Sequence, residues 1–365
     1  MISANSGTIG AGCFTMLLLA LAGCSGGNGE ARPGEETVGE QEATISNRMI
    51  EAIKDTSLRR DPEGRVRRFN QAKSHGCFDA RFTVAGDLAD DLRHGVFARS
   101  ATYSARVRFA SASEDDDTKK DFRGMSIKLS GVPGQPLWGK PGEQDFLLNS
   151  YPALFAADPE EFLAFIEAVR DDAKWKFFLN PLHFGALLRV LKGRSEIDSL
   201  LDIDYFSTTP YRHGPSQATA VKYSARPCTH TKPAMGDERH KDFLAETMKR
   251  QLQEGPACFD FMVQFQVDAE AMPVEDASVV WDQELSPFHR VATLIIEDQD
   301  FRSPEAMAAC ERMSFNPWQS LPAHQPLGGI NRVRKSVYAE IAKFRQEQNR
   351  IRERRQAGGS DRQGR

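Results

Sequence analysis

The sequence predicts an α+β fold in which an antiparallel β-sheet or barrel is flanked by helices. Three observations carry this. Six runs, at 78–84, 102–110, 124–129, 218–225, 259–267 and 289–296, are short, often alternate apolar with polar residues, and end in Gly, Pro or Asp, as half-buried strands do. They are not separated by the regular helical crossovers that parallel strands require. Between about 65 and 345 there is no internal repeat and no linker, so the strands and a few helical patches belong to one domain.

In chain order, residues 14–23 form an apolar run ending in Leu21-Ala22-Gly23-Cys24. The run falls short of the roughly 20 residues a membrane-spanning helix needs and has the length of a signal-peptide core. Its end resembles the bacterial lipobox, although no Lys or Arg precedes it. That resemblance implies a lipoprotein signal peptide over 1–23, a lipid-modified Cys24 that anchors the mature chain, and, with Ser25 next, a place in the cell envelope at the periplasmic side of the outer membrane. Residues 24–44 are rich in Gly, Glu and Pro and read as a flexible tether. A helix is expected over 159–170, because Asp158-Pro159-Glu160-Glu161 supplies an N-cap, a Pro in the first turn and acids near the positive end of the dipole. Further helices are expected over 242–254 and 331–345, followed by a charged tail over 346–365.

Composition narrows the function. With 47 Lys and Arg against 51 Asp and Glu the chain carries a net charge of −4, which lacks the positive field nucleic-acid binding needs. The eight histidines show no HExxH or comparable metal spacing. Outside the leader, Cys77, Cys228, Cys258 and Cys310 form no CxxC pair; Cys228 and Cys258 flank one segment, and a bridge between them is left open. Nothing in the sequence sets the oligomeric state.

The segment 331–345 holds Arg334, Tyr338 and Arg345. At about 100° per residue their spacings of four and seven put all three on one helical stripe. A cation one turn from a phenol favours the phenolate, and a phenolate is a hard ligand for ferric iron.

The surrounding text resembles the haem catalase superfamily, in particular its short catalase-related members. The matching blocks, spanning most of 65–345, are Lys73-Ser-His-Gly-Cys77, Val107-Arg-Phe-Ala110, Asp117-Thr-Lys-Lys-Asp-Phe-Arg-Gly124, Gln144-Asp-Phe-Leu-Leu148, Thr209-Pro-Tyr-Arg212, Val221-Lys-Tyr-Ser-Ala-Arg-Pro227, Pro273-Val-Glu-Asp-Ala-Ser-Val279, Phe315-Asn-Pro-Trp318 and Pro326-Leu-Gly-Gly-Ile-Asn-Arg332. The resemblance implies a catalase-like β-barrel over 45–345 with haem b at the barrel–helix interface. It implies Tyr338 as the iron ligand, Arg334 as the cation that keeps it ionised, Arg68, Arg108 and Arg345 as partners of the haem propionates, and Phe155 as a pocket phenylalanine. No dinucleotide fingerprint is present.

The family's pattern fails on the distal side. Where it has a proton-moving histidine, this chain reads Arg68-Phe-Asn-Gln71-Ala-Lys73, so Gln71 holds that place. An amide donates and accepts hydrogen bonds but cannot take and return a proton near neutral pH. The family's distal asparagine is displaced too. Ser150 stands at its position and Asn149 one place earlier. The expected function is a catalase-like haem protein acting on hydrogen peroxide or organic hydroperoxides, by dismutation or peroxidation. The alternative is an envelope lipoprotein that binds or senses haem with little turnover.

Overall fold

The computed structural model describes residues 32–60, 62, 64–230 and 239–363. The expected signal peptide and Cys24 lie outside the described residues. Strands β1 (Lys73–Val84), β2 (Thr102–Ser111), β3 (Arg123–Ser130), β4 (Glu143–Asn149), β5 (Tyr205–Phe206), β6 (Tyr211–Arg212), β7 (Ala220–Pro227), β8 (Ala257–Phe265) and β9 (Phe288–Ile296) form one antiparallel sheet. Its order is β5-β4-β3-β2-β1-β9-β8-β7, closed by pairing of β5 with β7, and β6 adds to β7 beside β5. The result is an eight-stranded barrel, so the α+β fold class and the barrel reading both hold. All six sequence-predicted runs are strands.

The barrel interior is filled by aromatic rings. Phe78, Phe82, Phe109, Phe146, Tyr205, Tyr223, Phe259 and Phe261 are fully buried, so the barrel is a packed core and any ligand must sit outside it. Side chains alternate across a strand. In β2, β3 and β4 the inward set is Val107 and Phe109, Met125 and Ile127, Phe146 and Leu148, which leaves Arg108, Ser126, Leu147 and Asn149 on the outer face.

That outer face is covered by helices α1 (Glu42–Arg60), α2 (Pro159–Arg170) and α7 (Gly329–Gln363). They share a second core of Ile45, Met49, Ile50, Ile53, Leu163, Ile166, Val333 and Val337. Helix α2 starts as the sequence predicts: the Asp158 carboxylate accepts from Glu161 N–H at 2.8 Å, and Glu161 returns a bond to Ala157 N–H at 2.8 Å. Helix α7 begins after Gly328, whose φ of +85° and lack of a Cβ let it lie against the Val274 carbonyl, and Glu275 accepts from Gly329 N–H at 2.7 Å. The helix runs unbroken to Gln363, so the stretch expected as a tail continues it. The remaining helices are α3 (Lys174–Leu179), α4 (Phe184–Gly193), α5 (Phe243–Glu254) and α6 (Pro304–Arg312).

The expectation of a free tether through residue 44 departs from the structure over the described residues. Arg332 of α7 binds Glu36 at 2.5 Å, Glu42 at 2.7 Å and Glu275 at 3.0 Å, and Gly34 N–H bonds Gln266 at 2.7 Å. Three carboxylates around one guanidinium offset the entropy of ordering this segment. Two disulfides are present among the described residues. Cys228–Cys258 joins neighbouring strand ends, and Cys77–Cys310 ties β1 to α6 across 233 residues.

Candidate functional site

A cavity lies between the outer face of β2–β4 and the helical layer. On the helix side, Ile330, Val333, Arg334, Val337, Tyr338, Ile341, Ala342 and Arg345 line it. They recur at intervals of three and four, the single stripe that one face of an α-helix presents. Met49 and Ile53 of α1 and Phe162 and Ile166 of α2 complete this apolar wall. On the sheet side Arg108, Ser126 and Leu147 are register partners across β2, β3 and β4, and Gly124 pairs with Asn149 in the next row. Arg68, Gln71 and Phe315 close the edges.

Arg334 donates to Tyr338 Oη at 3.2 Å and to Asn331 Oδ1 at 2.9 Å. Its guanidinium also lies 5.0 Å from the Tyr338 ring centroid. Burial pulls this guanidinium down, but the oxygens of Tyr338 and Tyr211 outweigh it and hold its pKa above the ordinary arginine value. Arg334 is therefore a fixed cation one helical turn from the phenol.

At the other end Arg68, Arg108 and Arg345 converge on one carboxylate. Glu311 lies 2.8 Å from Arg68, 3.8 Å from Arg108 and 3.9 Å from Arg345. Burial and repulsion from Arg68 lower Arg108 to about 9 and Arg345 to about 10; burial lowers Arg68 as well, with Glu311 pulling it back. Arg108 is 2% exposed and its Nε has no hydrogen-bond partner among the described residues. Among the described residues the buried Arg108 and Arg345 and the partly exposed Arg68 face one carboxylate, an excess of about two positive charges that an anion would complete.

Gln71 also lines the cavity, with φ +58°. Its side chain lies over Gly124, where a Cβ would fall 2.1 Å from Gln71 Oε1. That Oε1 is buried without a hydrogen-bond partner among the described residues. Asn149 reaches the cavity from the end of β4, its Oδ1 accepting from Ser150 N–H at 2.8 Å, which leaves its NH₂ to offer. Among the described residues that line the cavity there is no His, Asp, Glu or Cys. His75, four residues from Gln71, is buried elsewhere against Ser111 at 2.8 Å.

Two sequence-predicted residues stand outside the cavity. Ser150 is not among the lining residues, and its Oγ accepts from Arg123 N–H at the start of β3 at 2.9 Å. Phe155 sits behind the wall, its ring 5.8 Å from that of Phe162, and it is Phe162 that lines the cavity. Glu311 and the α1 residues were missed. No motif marks Glu311, whereas Ile45, Met49, Ile50 and Ile53 carry a helical spacing that was available in the sequence.

The donor set does not suit a bare metal ion. Among the described residues no group of three or more His, Cys, Asp or Glu side chains could hold one. It does suit haem: a slot walled by apolar side chains, a phenol beside a fixed cation on one wall, and surplus guanidiniums at the rim for two carboxylates.

The chain has the fold of the catalases. It is similar to a fungal catalase (18% identity, TM-score 0.62, covering 79% of this chain and 61% of that one). It is similar also to catalase A from Saccharomyces cerevisiae (19%, TM-score 0.63, 79% and 63%) and to a bacterial catalase (18%, TM-score 0.60, 87% and 63%). The chain thus spans 61–63% of the length of these proteins. Neither a protein-family model nor a curated protein matches it.

Proposed function

We propose that the protein binds haem b in this cavity and acts on hydrogen peroxide or an organic hydroperoxide in the cell envelope. The observation that carries the reading is one apolar cavity holding Tyr338 with Arg334 at one place and Arg68, Arg108 and Arg345 at another. When bound, haem supplies the redox-active iron that reacts with peroxide. Tyr338 holds that iron through its phenolic oxygen, and Arg334, donating to the same oxygen, favours its anionic form. Arg68, Arg108 and Arg345 take the two propionates in charge-assisted pairs. Gln71 Oε1 accepts a hydrogen bond from the hydroperoxide O–H and the Asn149 NH₂ donates to an oxygen, so both orient the substrate. Neither takes the proton away. With no base among the described lining residues, proton movement falls to water, and the loss of a positioned acid–base group slows turnover by about 10²–10⁴-fold.

That same absence favours a second reading, a haem-binding or haem-sensing envelope protein with little turnover. Oxygen evolution per haem after adding peroxide separates the two. Release well above that of free hemin supports the enzyme, and release no greater than free hemin supports the binding protein. The lipid anchor at Cys24 belongs to both readings and is tested by mass spectrometry of the mature amino terminus.

A further inference from the structure

We propose that the face formed by α3, α4 and the turn between them seats the protein on the surface of an anionic phospholipid bilayer. This does not depend on the haem reading. Among the described residues twelve large apolar side chains are exposed, and six of them fall here. Trp175, Leu179, Leu182, Phe184, Leu188 and Leu191 are between 52% and 86% exposed. So concentrated an apolar patch marks an interaction surface.

Packing fixes its direction. On α4 the exposed Phe184, Leu188 and Leu191 are spaced by four and three residues and make one stripe, while the fully buried positions are the small Ala186 and Gly193. A Cβ at Gly193 would lie 2.4 Å from the Phe122 ring, so this side must stay inward. The helix is amphipathic with its large apolar face turned outward. The partner's chemistry follows from charge. Residues 174–194 contain five Lys and Arg and no Asp or Glu, in a chain whose net charge is −4. Arg194 is engaged with Glu114 and Arg189 with the Phe155 carbonyl, whereas Lys174, Lys176 and Lys192 stand exposed around the patch. Lysines around a Trp-bearing apolar face match the headgroup and acyl boundary of an anionic membrane. A second copy fits worse, because a two-fold contact would bring the same cations face to face. No helix among the described residues is long and apolar enough to cross a membrane, so this face lies on the bilayer. Behind it, Phe177 and Phe178 touch Phe165, whose ring is 4.7 Å from Phe155 and, through it, next to the cavity-lining Phe162.

The test is flotation of the full chain carrying Cys24→Ala, which removes any attached lipid. The vesicles are phosphatidylcholine alone or phosphatidylcholine with phosphatidylglycerol. The protein is expected to float with the anionic vesicles and to shift its tryptophan emission to the blue. The triple variant Leu179→Asp, Leu182→Asp, Leu188→Asp should lose about tenfold or more in partitioning with an unchanged far-ultraviolet circular dichroism spectrum. Lys174→Ser, Lys176→Ser, Lys192→Ser should erase the preference for phosphatidylglycerol. Every variant shares the leader, so its binding is common to all. The proposal is overturned if the protein stays in the aqueous phase with both vesicles, or if the Asp variant partitions onto the anionic vesicles as strongly as the parent. It is overturned equally if light scattering shows a concentration-dependent dimer that the Asp variant dissolves while no form floats.

Discussion

Removing the one carboxylate at the arginine cluster, Glu311→Gln, should move stability and ligand affinity in opposite directions. Among the described residues Glu311 is the carboxylate that pairs with Arg68 at 2.8 Å and faces Arg108 at 3.8 Å and Arg345 at 3.9 Å. Charges about 4 Å apart attract by about 4 kcal/mol at an effective dielectric of about 20, and breaking a buried pair by deleting one partner costs about 3–5 kcal/mol. The free variant should therefore unfold at clearly lower urea. A dianionic ligand sees the reverse. Glu311 repels each incoming carboxylate by about 2 kcal/mol at about 8 Å under the same dielectric. Its removal takes the competing carboxylate away from the three guanidiniums, so hemin should bind at least about tenfold tighter, as 1.4 kcal/mol is a factor of ten. Tryptophan quenching on titration with hemin measures the affinity, and urea unfolding followed by circular dichroism measures the stability. A variant that stays folded but binds hemin no better would refute the placement of the ligand's acid groups at this cluster.

Gln71→His supplies an acid–base group at a position that lines the cavity, and peroxide turnover per haem should rise toward the 10²–10⁴-fold such groups provide; normal haem binding without any gain would show that Gln71 is not beside the reacting oxygens. Stability should decline as pH falls from about 6.5 toward 4. Burial, with His94 nearby, lowers His213 to about 4, so in that window the unfolded chain binds the proton and the folded chain does not, a loss of about 3 kcal/mol for this one group. Buried His75 and His324 act in the same direction. Asp145, raised by burial to about 6, opposes them by taking its proton in the folded state. Urea midpoints from pH 7 to pH 4.5 check the balance, and constant midpoints would contradict it.

The barrel was legible because its strands are long and one face of each is buried, so the two-residue period survives in the sequence. Strands β5 and β6 were not, since two residues carry no period and exist only because closure brings Tyr205 and Phe206 against Ala225 and Ser224. Helices α3 and α4 hid for another reason: their large apolar side chains face out, so the usual assignment of apolar stripe to core fails. At the site, the α7 stripe could be read from spacing alone. Asn149 against Ser150 was a question of strand parity that Leu147 and Leu148, both apolar, left unresolved; in the fold Leu148 goes into the barrel and Asn149 shares the outer face. The meeting of Glu311 with Arg68 and Arg108, and of Cys77 with Cys310, depends on where α6 docks, and separations of more than two hundred residues leave no local trace.

The central claim is that Tyr338 bonds the iron of a haem held in this cavity. The absorption spectrum of the purified full chain titrated with hemin, beside that of Tyr338→Phe, tests it most directly. Saturation at one haem per chain with the Soret and charge-transfer bands of a high-spin ferric tyrosinate, lost in the variant, is the expected result. A protein that never saturates, or a variant with the same spectrum as the parent, would contradict it.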